Sequence, residues 1–324
     1  SESASIKRWA KSYMDEITCP KCDGNRLKKE ALHFKINGKN ISELAKMDAV
    51  DLGKWFAELP AKLSEKQQLI ASEILKEIET RIQFLLDVGL DYLTLNRSAR
   101  TLSGGESQRI RLATQIGSQL VGVLYILDEP SIGLHQRDNV RLIKSLQDLR
   151  DAGNSVIVVE HDEEIMNAAD QVIDIGPEAG TLGGEIVAQG TLKQILKSKG
   201  LTAAYLNGSK KIEVPKKRRT SKKKIEVVGA REQNLKNINI QIPLGVLTVV
   251  SGVSGSGKSS LVKKILYPAL LRHFDIYSEK PGAYSELKGD LDTLRSVEFV
   301  DQNPIGRSSR SNPVTYIKAY DEMR

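Results

Sequence analysis

The sequence predicts a mixed α/β fold built around parallel strands. Two apolar runs, at residues 123–127 and 155–159, have the continuous hydrophobic pattern of strands that are buried on both faces. A helical stretch follows each run, and this alternation is typical of an α/β sheet. A third apolar run, at 246–251, leads into a glycine-rich turn and then into another helical stretch. The chain of 324 residues is long enough for two such domains.

Composition and pattern divide the chain into four segments. Residues 1–100 are predicted to form a helical arm, residues 101–206 an α/β half-domain, residues 207–224 a basic linker, and residues 225–324 the start of a second α/β domain. In the arm we expect a polar helix up to about Glu16, a cysteine turn, a hairpin at Asn37-Gly38 and an amphipathic helix at 66–88. Elsewhere we expect a hairpin edge at 183–191 and strands near 225–229, 235–241, 246–251 and 297–300.

The bulk composition argues against two classes of protein. Hydrophobic residues make up 40% of the chain and charged residues 27%, as in a globular rather than a disordered protein. No apolar run reaches the roughly 18 residues of a membrane helix, so we expect no membrane partner, and no signal peptide opens the chain. Because the sequence starts without Met and stops within a pattern, we expect a segment of a longer protein.

The net charge of +7 is concentrated in one place. Nine basic residues and one acidic residue lie between Lys210 and Lys224, which leaves the remainder of the chain close to neutral. One interpretation is a solvated, mobile linker. The other is contact with nucleic-acid phosphates, which would depend on salt and not on base sequence.

The strongest motif runs from Gly252 to Ser259 and fits the pattern G-x-x-x-x-G-K-[ST]. Glycines let backbone N–H groups close around phosphate oxygens, and the following helix presents its positive end. Lys258 is expected to reach the β- and γ-phosphates of a nucleotide, and the Ser259 hydroxyl to ligate Mg²⁺. The residues expected to bind through this phosphate loop are Gly252, Ser254, Gly255, Gly257, Lys258, Ser259 and Ser260.

A second motif, LSGGESQR, covers residues 102–109. Alone, its Ser-Gly-Gly turn would be a plain helix cap. Further along the chain, however, Asp128 and Glu129 directly follow one apolar run, and His161 follows the next. A strand that ends in Asp-Glu supplies one carboxylate for Mg²⁺ and a second that orients or deprotonates water. His161 could then sense a γ-phosphate, although an isolated histidine at such a place is more often structural.

Together these motifs resemble the ABC ATPase superfamily: the signature LSGGE, the Walker B segment ILDEP, the loop SIGLH and a switch histidine. Longer segments resemble the UvrA family, among them SIGLHQRDN, VPKKRR, GAREQNLKNI and DQNPIGRSSRSNPVTY. This similarity runs from Cys19 to the C-terminus. The resemblance implies α/β, ABC-type P-loop ATPase half-domains with a helical signature arm and a zinc-knuckle element. Residues 101–206 would end the first ABC domain, and residues 225–324 would begin the second.

The resemblance also implies roles for individual residues. Ser103, Gly104, Gly105 and Asp128 would contribute to nucleotide and Mg²⁺ binding, and catalysis would involve Glu129, His161 and the Q-loop residue Gln302. UvrA-like proteins carry two ABC domains in one chain, so the signature of the first would meet the phosphate loop of the second across one ATP. We therefore expect this chain alone to bind ATP or ADP weakly and to hydrolyse ATP poorly.

For the whole protein, the resemblance implies ATP-dependent recognition of damaged double-stranded DNA in nucleotide excision repair, as part of the SOS response. The implied partners are damaged DNA, UvrB and a second copy of the protein, all in the cytoplasm, with an excision nuclease acting afterwards. A polar loop with Arg307, Arg310 and Asn312 would either couple the Q-loop to DNA or form an ordinary surface turn.

Cys19 and Cys22 are the only cysteines, and with Gly24 they have the form of a zinc knuckle. Tetrahedral zinc needs four ligands. The UvrA resemblance implies that a second cysteine pair lies elsewhere in the longer protein, so we expect half of a zinc site here. A disulfide or a redox motif is the weaker alternative.

Two other functions are compatible with parts of the sequence. A transporter ATPase subunit would place an aromatic residue before the phosphate loop, yet none occurs between Leu206 and Leu266. It would also place the signature after the phosphate loop, whereas Ser103 precedes Lys258 here. A UvrA-like paralogue that protects against DNA-binding drugs would carry the same motifs as a repair protein.

Overall fold

The computed structural model describes residues 17–116, 120–301 and 312–323. These residues form two compact units. The larger unit contains residues 16–219 together with 249–258, and the smaller unit contains residues 220–248 and the chain after residue 258. The predicted phosphate loop up to Lys258 therefore groups with the signature motif, although the segments on both sides of the loop group with the smaller unit.

The larger unit begins with a small helical arm. Its elements are β1 (Lys35–Ile36), β2 (Lys39–Asn40), α1 (Ile41–Ala45), α2 (Ala49–Glu58) and α3 (Glu65–Asp87). The turn between β1 and β2 is at Asn37 and Gly38, both with positive φ, as predicted. The predicted amphipathic helix is α3, which starts at a capping box formed by Ser64 and Gln67. The polar helix expected up to Glu16 lies outside the described residues.

The arm has its own apolar core. The buried residues of this core are Leu44 of α1, Leu52, Trp55 and Leu59 from α2 and the residue after it, and Leu75 and Ile82 of α3. Apolar residues at helical spacing bury one face of α3, and the opposite face stays in water. This packing gives the arm a fixed shape before the chain enters the signature segment.

The α/β part of the larger unit follows the predicted alternation. Its elements are α4 (Gly104–Ile116), β3 (Leu124–Asp128), α5 (Gln136–Asp151), β4 (Ser155–Val159), α6 (Glu163–Ala168), β5 (Val172–Gly176), β6 (Glu185–Gly190), α7 (Leu192–Ile195) and α8 (Leu201–Leu206). Strands β3 and β4 pair in parallel, with Asp128 opposite Val159. Strands β5 and β6 form an antiparallel hairpin. The parallel strands and the hairpin edge are therefore confirmed.

One face of the β3–β4 sheet packs on helices and the other is exposed. Tyr125 and Val156 point into a core with α4, α5 and α6. On the opposite face Leu124, Ile126 and Ile157 are more than half exposed, and Ile126 reaches 68%. The expectation of strands buried on both faces is therefore wrong for the described chain. Alternation along a strand sends side chains to both faces, and only one face is covered here.

The smaller unit holds an antiparallel sheet. Its elements are β7 (Lys224–Ala230), β8 (Ile238–Pro243), α9 (Tyr267–His273), β9 (Glu286–Gly289), α10 (Pro313–Tyr316) and α11 (Ala319–Met323), with strand order β8-β7-β9. A π-helical segment, Ser260–Leu266, leads into α9. Its residues Leu261 and Ile265 pack on Val227 and Ala230 of β7. The strands predicted near 225–229 and 235–241 are confirmed by β7 and β8.

Two predicted strands do not form. Residues 247–251 and 294–300 have no strand structure, and Leu247 is 94% exposed. A strand gains its stability from hydrogen bonds to a neighbouring strand and from burial of its side chains. Neither segment pairs with any strand in the part of the chain that the structure describes, so their apolar sequences alone do not hold an extended ladder. The basic linker is exposed nearly throughout.

No helix within the described ranges combines the length and the hydrophobicity needed to cross a membrane.

Candidate functional site

The signature motif forms the N-terminal turn of helix α4. The backbone N–H of Ser103 donates to Glu106 Oε2 at 2.7 Å, and the N–H of Glu106 donates to Ser103 Oγ at 3.2 Å. This reciprocal pair is a capping box, which satisfies free N–H groups at the start of the helix. The helix is 13 residues long, so its positive end coincides with the Ser-Gly-Gly turn. An anion at this turn would be stabilised by the helix dipole and by the N–H groups.

Glu106 is the centre of a buried polar cluster, called here the Glu106 cluster, which also contains Tyr92, Arg97 and Ser103. Glu106 is only 7% exposed. The Tyr92 hydroxyl donates to Glu106 Oε1 at 2.7 Å, and the Arg97 guanidinium lies 3.3 Å from Glu106 Oε2. No sequence pattern predicts this cluster as a whole, because its members come from two loops and a helix. Its effect is to fix the conformation of the signature turn.

The cluster shifts the pKa values of its members in opposite directions. Burial raises the pKa of Glu106, but the Ser103 N–H, the Tyr92 hydroxyl and the Arg97 charge together hold it below its ordinary value. The pKa of Tyr92 is strongly raised by burial and by its hydrogen bond to the Glu106 carboxylate. Within the cluster, Glu106 is therefore a carboxylate and Tyr92 a protonated phenol at neutral pH.

The start of α4 also contacts the segment that follows β3. Gly105 lies so close to the backbone of Ile132 that an added Cβ would collide with the Ile132 carbonyl oxygen. The side-chain amide of Gln108 donates to the backbone carbonyl of Asp128. The start of α4 is thus held against the end of β3 and the segment after it by one side-chain hydrogen bond and one close backbone approach.

The Asp-Glu pair lies at the end of β3, as predicted. Asp128 is exposed, and Glu129 follows with φ of +44°, a left-handed conformation that is uncommon for a residue other than glycine. The N–H of Glu129 donates to the carbonyl of Val159 at 2.9 Å, which holds this conformation. Glu129 Oε1 is 3.4 Å from His161 Nε2, and both side chains are accessible to water. The structure therefore brings together two predicted catalytic residues.

A third carboxylate, Glu160, organises the loops around this pair. It accepts hydrogen bonds from the N–H groups of Ser131 and His161, both at 2.9 Å, and of Asp162 at 3.3 Å. Burial raises the pKa of Glu160, but these hydrogen bonds lower it below its ordinary value. A cleft of about 280 Å³ opens here, lined by Glu129, Ser131, Ile132, Glu160, His161 and Asp162.

The phosphate loop is closed on itself through its lysine. Lys258 Nζ donates to the carbonyls of Gly252 at 2.7 Å and Val253 at 2.9 Å. Gly252, Gly255 and Gly257 have φ of +147°, +74° and +99°, conformations that explain the glycines of the motif. The loop thus has backbone conformations that glycine adopts without strain and that suit a phosphate cradle, and the ammonium group of Lys258 is already beside it.

Two polar groups of Ser254, its N–H and its hydroxyl, face other parts of the larger unit. The N–H of Ser254 donates to Asp138 Oδ2 at 3.4 Å, and Asp138 is almost fully buried at the start of α5. The Ser254 hydroxyl is buried without a hydrogen-bond partner among the described residues. An orphaned buried donor beside a glycine-rich loop fits an anionic ligand.

The last two loop residues belong to the smaller unit. Ser259 is exposed and precedes the π-helical segment. Ser260 is buried, and its hydroxyl donates to Gln233 Oε1 at 2.7 Å. Of the predicted binding residues, Ser260 therefore has a hydroxyl that is already engaged within the protein.

The cysteine pair forms a tight turn. The N–H of Asp23 donates to the Cys19 carbonyl and that of Asn25 to the Cys22 carbonyl, both at 2.8 Å. Both thiols are free, and hydrogen bonds from the backbone of Cys22 and Lys21 lower the pKa of Cys19. A lowered thiol pKa fits a metal ligand. Within the described ranges no group of three or more potential ligands surrounds a common point, so these two thiols amount to half of a tetrahedral site at most.

Some predicted residues lie outside the described ranges, namely Gln302, Arg307 and Arg310. Asn312 is described, and its side chain caps α10 by accepting the N–H of Thr315 at 2.9 Å.

No family model matches the chain. UvrABC system protein A of Lactococcus lactis subsp. lactis is 55% identical over 325 residues, which cover 99% of this chain and 34% of the relative. The protein of the same name from Clostridium acetobutylicum is 54% identical over 326 residues, with 100% and 34% covered. The crystal structure of UvrA2 from Deinococcus radiodurans has a TM-score of 0.88 and 39% identity, covering 100% of this chain and 40% of that one.

The homologues of this chain are UvrA proteins. The resemblance inferred from its motifs is confirmed, and so is the mixed α/β fold. The chain spans about a third of the length of the curated UvrA relatives that it matches.

Sequence reasoning missed several residues that shape the site of this UvrA-like chain. The missed residues are Tyr92, Arg97, Glu106, Asp138, Glu160 and Asp162. Glu106 and Glu160 adjoin predicted positions, since each lies one residue from Gly105 or His161. The predicted positions beside them therefore could have indicated these two carboxylates. Tyr92 and Asp138 carried no comparable signal, because they lie more than 100 residues before Gly255 and Ser254, the loop residues that they respectively contact.

The two glycines of the signature turn are expected to tolerate alanine very differently. Gly105→Ala should lower the free energy of unfolding by about 1–3 kcal/mol, because the new methyl group overlaps the Ile132 carbonyl. Gly104 has open space around its Cβ position, so Gly104→Ala should change stability by less than about 1 kcal/mol and in the stabilising direction. Urea unfolding of the two variants measures the difference. Equal stabilities would contradict the Gly105–Ile132 contact.

Proposed function

We propose that this chain is the central part of a UvrA-type ATPase that recognises damaged DNA in nucleotide excision repair. The observation that carries the proposal is identity of 52–56% to curated UvrABC system protein A sequences over 97–100% of the chain. Such identity favours the repair function over a transporter subunit or a drug-resistance paralogue. The motifs of the site supply the chemistry that the proposal needs.

ATP would bind through the phosphate loop. The loop backbone and Lys258 would hold the phosphates, and the orphaned hydroxyl of Ser254 adds a donor that an anion would satisfy. Ser259 would contribute an oxygen ligand to Mg²⁺, the metal that neutralises the charge of the β- and γ-phosphates. The signature turn, with Ser103 at its start, lies at the N-terminal end of α4, where the helix dipole would favour a γ-phosphate.

Asp128, Glu129 and His161 would serve a different nucleotide. They belong with the signature half-domain, and a phosphate loop for that half-domain would lie elsewhere in the longer protein. The exposed apolar face of β3 and β4 supports this division, because parallel sheets of this kind are normally covered on both faces. Asp128 would ligate Mg²⁺ there, Glu129 would orient water, and His161 would contact the γ-phosphate. With parts of two sites and neither complete, the chain alone would hydrolyse ATP poorly.

The remaining roles concern the whole protein. Damaged double-stranded DNA, UvrB and a second copy of the protein would be its partners, and Gln302 would couple Mg²⁺ to conformational change. Cys19 and Cys22 would hold zinc together with a second cysteine pair, because two thiols alone leave two of its four positions to other ligands. A cytoplasmic location and a role in the SOS response follow from the same proposal.

Binding of the full-length protein to a duplex with a single lesion, compared with an intact duplex of the same sequence, tests the repair function. The measurement is made with and without ATP, at one stated salt concentration, because phosphate contacts make affinity depend strongly on salt. Preference for the damaged duplex that changes with ATP is the expected result. Equal affinity for the two duplexes under both conditions would refute the proposal.

A further inference from the structure

The phosphate loop rests on an aromatic ring from a distant part of the sequence. Gly255 lies directly against the ring of Tyr92, and an added Cβ would lie 2.5, 2.6 and 2.8 Å from three ring carbon atoms, Cγ, Cδ2 and Cδ1. Both residues belong to the larger unit. Gly255 therefore has to be glycine for two reasons, its φ of +74° and the ring beside it.

The other end of Tyr92 reaches the signature turn. Its hydroxyl donates to Glu106 Oε1 at 2.7 Å, and Glu106 Oε2 accepts the N–H of Ser103 at 2.7 Å. A single side chain thus connects the backbone of the phosphate loop to the capping box that shapes the signature turn. The Arg97 guanidinium, 3.3 Å from Glu106 Oε2, fixes the carboxylate from another side.

A nucleotide would act on this contact directly. When phosphate oxygens enter a glycine-rich loop, its N–H groups turn toward them and its glycines take up the change of backbone conformation. Gly255 cannot move toward Tyr92 without displacing the ring, because the two are already in contact. The ring cannot shift without moving its hydroxyl relative to Glu106. In addition, the Ser254 N–H, now directed at Asp138, is one of the donors that a phosphate would attract.

We propose that Tyr92 is a positioning residue that transmits occupancy of the phosphate loop to the signature turn through Glu106. The proposal rests on the proposed function, since it takes the phosphate loop to be the nucleotide site. It goes further by assigning the coupling between two motifs to one side chain outside both. A movement of Gly255 displaces the ring, and the hydroxyl then moves Glu106 and the capping box.

A purely structural tyrosine would behave differently. Tyr92 also packs against the core around α4 and α5, so its ring contributes to stability whether or not a nucleotide is bound. Removal of the hydroxyl from a structural residue would change the conformation of the signature turn equally with and without bound nucleotide. Removal of a hydroxyl that couples the two motifs would instead change the effect that nucleotide binding has on the signature turn.

The test compares Tyr92→Phe with the unaltered chain by hydrogen–deuterium exchange of the peptide that covers the signature turn. Exchange is measured with and without Mg²⁺ and an ATP analogue that is not hydrolysed, and binding is measured separately with a fluorescent nucleotide. In the unaltered chain the nucleotide should change exchange at Ser103 to Glu106. In Tyr92→Phe binding should persist, while that nucleotide-dependent change shrinks by at least about threefold.

Tyr125→Phe is the matched control. Tyr125 is buried in the same core, and its hydroxyl has no hydrogen-bond partner among the residues described, so loss of that hydroxyl should leave the nucleotide-dependent change intact.

Two results separate this inference from the proposed function. Absence of nucleotide binding by the unaltered chain overturns the inference together with the assignment of the phosphate loop as a nucleotide site, whereas the repair function is tested by the lesion-binding measurement on the full-length protein. Nucleotide binding with no response at the signature turn, or with the same response in Tyr92→Phe, overturns the inference and leaves the proposed function standing. A Tyr92→Phe variant that loses nucleotide binding or fails to fold also overturns the inference, because the hydroxyl would then serve binding or stability rather than coupling.

Discussion

Lys258→Ala is expected to lower the affinity of the chain for ATP by at least about 30-fold, which corresponds to about 2 kcal/mol. Lys258 Nζ donates to the Gly252 and Val253 carbonyls within the phosphate loop. Its charge is therefore in place before a nucleotide arrives, and charge-assisted hydrogen bonds to phosphate are among the strongest polar contacts. Titration with a fluorescent ATP analogue measures the affinity.

Glu129→Gln is the matched comparison for this prediction. Glu129 is next to His161 at the end of β3, and in the proposed arrangement it serves the other nucleotide. Its replacement should leave the affinity of the phosphate loop for ATP within about twofold of the original value, since a change of that size is below 0.5 kcal/mol. Robust ATP turnover by this chain that Glu129→Gln abolishes would contradict the separation of the two sites. Unchanged affinity in Lys258→Ala would contradict the assignment of ATP binding to the phosphate loop.

Features with a local cause could be predicted from the sequence. The turn at Asn37 and Gly38 needs positive φ, helix α3 needs apolar residues at helical spacing, and the motif at 252–259 contains its own glycines and lysine. The pairing of β3 with β4 follows from two apolar runs joined by one helix. In each case the determining residues lie close together in the sequence.

Features that depend on distant partners could not be predicted. Residues 246–251 have the composition of a strand, but a strand also needs a neighbour, and the described chain supplies none. The ring of Tyr92 meets Gly255 across 163 positions of sequence, and Asp138 meets Ser254 across 116. Neither pairing leaves a trace in composition or periodicity. Both lie at the phosphate loop, where the proposed chemistry would take place.

Glu106→Ala is expected to lower the free energy of unfolding by about 3 kcal/mol. The substitution removes the acceptor of the Tyr92 hydroxyl, of the Ser103 N–H and of the Arg97 guanidinium. Loss of one partner from a buried charged network leaves the others desolvated, and this usually costs about 3–5 kcal/mol. The lower end applies here because Arg97 is a third exposed and keeps some contact with water. Urea unfolding at neutral pH measures the change.

Glu43→Ala isolates the contribution of burial. Glu43 closes the same kind of capping box with Asn40, at 2.7 Å, but at an exposed position, so its loss should cost no more than about 1 kcal/mol.

The two variants should also differ in acid. The pKa of Glu106 is lowered in the folded chain, so its stabilising effect is fully present above the ordinary carboxyl pKa of about 4.3 and is lost as the pH falls through the folded value. The difference in free energy of unfolding between Glu106→Ala and the unaltered chain should therefore become smaller below about pH 4. If this difference does not change with pH, or if Glu43→Ala and Glu106→Ala lower the free energy of unfolding equally, the buried carboxylate does not hold the signature turn.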